Sequence, residues 1–103
     1  MKRVQFPSRA IEHFDSTGFT HTRVARGESF QVSLVELDGR IGGHEAASRQ
    51  VLVVLSGRVM CTTRDDAEEL GAGGAVEWQE GEWHETRSLE QSKLLIVEGD
   101  WDE

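Results

Sequence analysis

His44 and His84 lie forty residues apart, each inside a short segment that opens on glycine and carries glycine again where a strand must reverse. The first segment spans residues 39–57 (GRIGGHEAASRQVLVVLSG) and the second residues 73–88 (GGAVEWQEGEWHETRS). An imidazole can ligate a metal, exchange a proton near neutral pH, or simply hydrogen-bond inside a polar pocket. His44, Ala46 and Gln50 differ by even steps, so an unbroken strand would put them on one face. That face is expected to be the interior of a barrel, since only a closed sheet brings two such distant histidines together. Gly57 and Gly81 mark tight reversals beside it.

Other side chains near these segments can take part. Glu82 shares parity with His84 and is the better-placed carboxylate, because Glu45 and Glu85 are direct neighbours of a histidine and point to the opposite face. Trp78 and Trp83 bracket the second turn. Such aromatics can wall a pocket and stack on a planar ligand, or serve as core or interface anchors, and one of each is expected. Arg58 shares a face with Gln50 and can bind an acidic substrate at the pocket's edge, although a solvated strand-end arginine is the commoner arrangement. His13 and His21 fall outside both segments and read as surface or N-terminal arm residues. Cys61 alternates with Val59 and Thr63 and reads as a small buried side chain rather than a nucleophile. The glycines of residues 71–74 precede a strand and no Gly-Lys-Ser/Thr, which excludes a phosphate-binding loop. Ser48 and Ser56 have no base at a telling spacing.

The elements that must position these groups are strands. Period-two alternation and β-branched residues predict strands over 21–26, 29–37, 50–55, 58–64, 68–70, 75–79, 83–87 and 93–98. Turn chemistry separates them, at Arg26-Gly27-Glu28, Asp38-Gly39, Ser56-Gly57, Arg64-Asp65-Asp66, 71–74 and Glu80-Gly81. Many short strands spaced in this way predict an all-β sandwich or barrel. Residues 6–14 are either one helical turn, with Ile11 and Phe14 at i, i+3, or an extended arm. The organisation expected is an N-terminal arm over 1–20, one barrel over 21–99, and an acidic end over 100–103. Trp101 in that end is expected to be covered by something.

With 103 residues the chain fits one small domain. Nineteen acidic residues against eleven Lys plus Arg give a formal charge of −8, which argues against nucleic acid as a partner. The longest apolar run, residues 51–55, is far short of the roughly 20 residues that cross a bilayer. The start, MKRVQFPSRA, has positive charge but no apolar stretch of the signal-peptide kind. A single cysteine excludes an internal disulfide and fits the cytoplasm, where the protein is expected. A small barrel with open edge strands is expected to pair as a homodimer.

The two segments resemble the paired motifs of the cupin family. The first cupin pattern is a glycine, five residues, His-x-His, three or four residues, a glutamate, six residues and a glycine. His44 takes the first histidine place, Ala46 the second, Gln50 the glutamate place and Gly57 the last, while Gly39 stands one residue closer than the pattern. The second pattern is a glycine, five residues, Pro-x-Gly, two residues, His, three residues and Asn. Gly73, Gly81 and His84 are in register, with Gln79 for proline and Ser88 for asparagine. The resemblance covers about half of the chain and implies a jelly-roll, RmlC-like β-barrel similar to small single-domain bacterial cupins. It also implies a small molecule bound in the barrel, with a divalent ion (iron, nickel, manganese or zinc) held by His44, His84 and Gln50. Two functions follow. One is a metal-dependent oxygenase, isomerase or decarboxylase on a small organic acid or aromatic, or its metal-free acid–base variant. The other is a metal-free ligand-binding, sensor or structural cupin without turnover.

Overall fold

The computed structural model describes residues 1–101 and contains nine strands, one 3-10 turn and, among those residues, no α-helix. Asp102 and Glu103 of the expected acidic end lie outside the described residues. The strands are β1 (Ser8–Ala10), β2 (Thr17–Arg26), β3 (Phe30–Glu45), β4 (Gln50–Ser56), β5 (Arg58–Thr63), β6 (Ala67–Gly71), β7 (Ala75–Trp78), β8 (Trp83–Ser88) and β9 (Ser92–Gly99). All pairings are antiparallel, in the order β6-β5-β8-β3-β9-β4-β7, with β2 on β3 and β1 on β2. The result is a nearly closed barrel of jelly-roll type. No helix among the described residues is long and apolar enough to cross a membrane.

The longest strand organises the rest. Residues 30–37 of β3 pair with β9, whereas Arg40 to Glu45 pair with β8. One strand therefore serves both walls, turning the corner near Gly39. The turn expected at Asp38-Gly39 is a continuation of strand instead. Ser88 Oγ receives the Gly39 N–H at 2.8 Å and donates to the Gly39 carbonyl at 3.1 Å, so both backbone groups are satisfied without a reversal.

Alternation along β3, β4, β5 and β9 buries one face of each strand. Val35 and Leu37, Leu52 and Val54, Val59 and Cys61, and Leu94 and Ile96 fill the barrel. Cys61 is a buried member of this core, as its parity predicts, and burial pushes its thiol pKa up.

The parity of β3 changes once, at Gly42-Gly43. Ile41 opposes Thr86 and His44 opposes His84, so three steps on β3 match two on β8. This β-bulge flips the strand by one residue. Leu37 and Ile41 point inward on odd numbers, and without the bulge His44 would face out. With it, His44 and His84 are direct cross-strand partners. Beyond Glu45 the strand ends, so His44, Ala46 and Gln50 do not lie on one unbroken strand as expected. The Ala46 N–H donates to the Glu82 carbonyl at 2.9 Å, and its carbonyl accepts from Gly81 N–H at 2.8 Å. Those bonds bend the chain so that Gln50 re-enters on β4.

Residues 6–14 follow the extended alternative over Ser8–Ala10 and close on a short 3-10 turn that starts at His13. β1 pairs with β2, and His13–Asp15 forms the 3-10 turn, with Phe14 and Asp15 in left-handed backbone at φ 58° and 62°. The turn is tied to β3. Arg40 bonds the Asp15 carbonyl at 3.0 Å and its carboxylate at 2.5 Å, and Gly42 N–H donates to Ser16 Oγ at 2.9 Å. A Cβ on Gly42 would sit 1.6 Å from the Phe14 carbonyl oxygen, and nothing rigid there can yield by that much. Gly42→Ala should therefore destabilise the domain by about 1–3 kcal/mol through overpacking, read as a lowered melting temperature. Gly71→Ala, whose Cβ meets only Arg58 Cγ at 3.8 Å, is the control. Equal melting of the two variants would show that the turn is not seated on β3.

Candidate functional site

A cavity of about 520 Å³ opens inside the barrel, within the range that holds small organic ligands. Its walls bring together His44, His84, Gln50 and Trp78, the residues on which the two sequence segments converge. Four aromatic rings run across it in series. Phe14 stacks on His44 at 4.1 Å and 6°, His44 and His84 lie 4.6 Å apart at 55°, and Trp78 stacks on His84 at 4.1 Å and 19°.

Both imidazoles are oriented by backbone. His44 Nδ1 donates to the Gly42 carbonyl at 2.8 Å and His84 Nδ1 donates to the Glu82 carbonyl at 3.2 Å. A carbonyl oxygen only accepts, so each Nδ1 carries the proton and each Nε2 keeps its lone pair. Neither Nε2 has a hydrogen-bond partner among the described residues. His84 is 3% exposed, and burial lowers its pKa, a shift opposed by its bond to the Glu82 carbonyl and reinforced by His44.

Glu98 ends the inward row of β9 and also lines the cavity. It lies between Gln31 on β3 and Gln50 on β4, and both amide groups donate to its carboxylate, Gln50 at 3.1 Å. Trp78 on β7 opposes Gln50 and completes this row across four strands.

Three expected site residues lie elsewhere. Arg58 is exposed and ion-paired with Glu90 at 2.7 Å and Glu69 at 3.3 Å, because its side chain points outward where Val59 points in. Glu82 is exposed, and its carboxylate accepts the Gln79 N–H at 3.0 Å as the cap of the turn. Only its backbone carbonyl serves the site, through His84. Trp83 lies against Gly43, with the Arg64 guanidinium 5.3 Å above its ring, and does not line the cavity. Trp78 is thus the tryptophan of the pocket. Trp101 is covered by Arg49, whose guanidinium sits 3.9 Å from the ring centre.

Sequence reasoning missed His13, His21, Phe14 and Glu98, all of which line the cavity. A signal was present for two of them. His21 shares parity with Phe19, and Glu98 shares parity with Leu94 and Ile96. Burial lowers the His21 pKa too, assisted by Arg23 and Arg9 against the opposing pull of Glu98.

Among the described residues no group of three His, Cys, Asp or Glu side chains converges to hold a metal ion. The donors at the motif positions are the two Nε2 atoms and the Gln50 carbonyl oxygen, and the Glu98 carboxylate, which accepts from two amides, forms no three-residue group with the histidines. That set does not fit a resident divalent ion, which takes three or more protein ligands in sites of this kind.

The barrel, its motif-bearing strands and its cavity have the fold of cupin-type domains. Solved structures of small single-domain cupins share its fold. A cupin-2 domain containing protein from Shewanella frigidimarina is 27% identical, with a TM-score of 0.70 over 78% of this chain and 79% of that one. The polyketide cyclase RemF from Streptomyces resistomycificus is 20% identical, with a TM-score of 0.82 over 96% and 79%. KdgF from Halomonas sp. is 19% identical, with a TM-score of 0.73 over 82% of each chain. No protein-family model matches the sequence, and no curated protein matches it.

Proposed function

We propose that this cupin barrel binds a small planar organic molecule and moves a proton on it through His84, with His44 oriented beside it, without a resident metal. The observation that carries this reading is the pair of imidazoles 4.6 Å apart, each with Nδ1 tied to a carbonyl and Nε2 uncommitted. His84, held neutral by burial, is the base. Its Nε2 takes a proton from an acidic C–H of the substrate, and the Trp78 face stacked against the ring stabilises the imidazolium that results. The His84 imidazolium then returns that proton at a neighbouring atom, while the Nε2 lone pair of His44, stacked under Phe14, accepts a hydrogen bond from the substrate beside it. The net change is an isomerisation or ring closure that needs no oxidant. A polyketide cyclase with the same fold supports including ring closure in that class. The aromatic walls supply stacking area, and Gln50, fixed by Glu98, orients a polar substituent.

The test is hydrogen–deuterium exchange at the acidic carbon of 2-tetralone, followed by NMR in deuterated buffer. Saturable exchange above the buffer rate, lost in His84→Gln, is expected. Binding without exchange would overturn the catalytic step and leave a ligand-binding module. Absence of both would overturn the pocket itself.

A second measurement addresses the metal. Untagged protein loaded in turn with iron, nickel, manganese and zinc, then dialysed, is expected to retain far less than one ion per chain. Near-stoichiometric metal that disappears in His44→Ala would replace the acid–base reading with a metal-dependent one.

A further inference from the structure

We propose that Arg9 and Arg23 form an anion subsite at the mouth of the cavity, so that the molecule taken there is a planar organic acid with its carboxylate outward. This rests on the ligand-binding reading of the cavity and names its substrate class.

The distribution of arginine partners carries the inference. Arg40, Arg49, Arg58 and Arg87 each lie within ion-pair distance of a carboxylate, as a chain with nineteen acidic residues makes easy. Arg3, Arg9, Arg23, Arg26 and Arg64 have no ion pair among the described residues, and of these Arg9 and Arg23 alone line the cavity. They are neighbours by construction. Arg9 on β1 stands opposite His21 on β2, and Arg23 follows His21 by two residues on the same face. A cross-strand pair has Cβ atoms roughly 5 Å apart and a diagonal pair roughly 7–8 Å, so two long guanidinium side chains here reach one carboxylate. Both arginines act on the His21 ring, which agrees with their closeness.

Neither arginine is ion-paired with the acid in the cavity wall. Among the described residues Glu98 is the one carboxylate lining the cavity, and its oxygens accept from Gln31 and Gln50. Two unpaired guanidinium groups on one face repel each other, and an anion shared between them relieves that repulsion. Guanidinium groups suit carboxylates because the planar fork donates two parallel hydrogen bonds. Below them lie the rings of Phe14, His44, His84 and Trp78, which accept a flat hydrocarbon body.

Calorimetric titration with 2-naphthoate and its neutral analogue 2-naphthamide tests this. The parent protein is expected to bind naphthoate about tenfold more tightly than naphthamide, from charge-assisted hydrogen bonds at a solvent-exposed rim. In Arg9→Gln/Arg23→Gln the naphthoate advantage should vanish while naphthamide affinity stays the same. Both side chains are exposed, so the double variant should melt with the parent. Equal affinity of the parent for the two probes overturns the subsite and leaves the pocket standing. Equal weakening of both probes in the variant does the same. If the parent binds neither probe, the pocket reading falls and the subsite with it.

Discussion

His84→Gln should lower the proton-transfer rate by about 10²–10⁴-fold, the usual contribution of a positioned general base, while the barrel stays folded. Glutamine fills much of the imidazole volume and can still donate a hydrogen bond, but it has no lone pair basic enough to take a proton. A drop of less than threefold, with unchanged binding, would remove His84 from the chemistry. The parent's pH profile gives an independent reading of the same group. Burial disfavours the charged ring, so His84 remains proton-free at pH values where an exposed histidine, at about 6.5, is half protonated. The acidic limb of the rate profile, where the base becomes protonated, should therefore inflect below 6.5.

Stability follows with a defined sign. Between the lowered folded pKa and the unfolded value near 6.5, the unfolded chain binds more protons than the folded one. Stability is then full above about 6.5 and declines as the pH falls through that window toward the folded pKa. His21 is shifted in the same direction and adds to the effect. Urea unfolding at pH 7.5 and 5.5 should give the lower midpoint at the lower pH, with a smaller difference in His84→Gln.

Trp78→Ala should cost about 3–5 kcal/mol, the usual loss for a buried aromatic cut to alanine. Trp78 is 3% exposed and packs in the main core on β7, which hydrogen-bonds to β4 alone among the described strands. Its indole also covers one face of His84 at 4.1 Å. A domain of this size is stable by roughly 5–15 kcal/mol in total, so the variant would unfold in mild denaturant. Trp78→Phe keeps an aromatic face on His84 and should lose less. Chemical denaturation followed by circular dichroism reads both. A Trp78→Ala midpoint indistinguishable from the parent's would mean that the indole is not packed in the core.

Much of the barrel was legible because strand formation is local. Alternating apolar residues and glycine turns identified β4 to β9 nearly end to end, since each strand buries one face wherever it lies in the sheet. The turn expected at Asp38-Gly39 failed for a non-local reason. Its backbone is satisfied by Ser88, forty-nine residues away, and turn chemistry in the sequence cannot register such a partner. The N-terminal residues stayed open between a helical turn and an extended arm on similar grounds, because three residues of β1 make a strand only where β2 offers an edge.

The sequence by itself determined an all-β barrel and two histidines in cupin-like register, one in each glycine-bracketed segment. Tertiary structure decided what surrounds them. The bulge at Gly42-Gly43 turned His44 inward against the parity of its own strand. The outer strands supplied His21, Arg9 and Arg23, and β9 supplied Glu98, sixty-seven residues from the Gln31 that holds it. Arg58 and Glu82, chosen by parity, went to surface ion pairs and a turn cap. The reason is physical. Period and turn chemistry act over a few residues, whereas a site is assembled by which strand lies beside which, and that is settled only when the core closes.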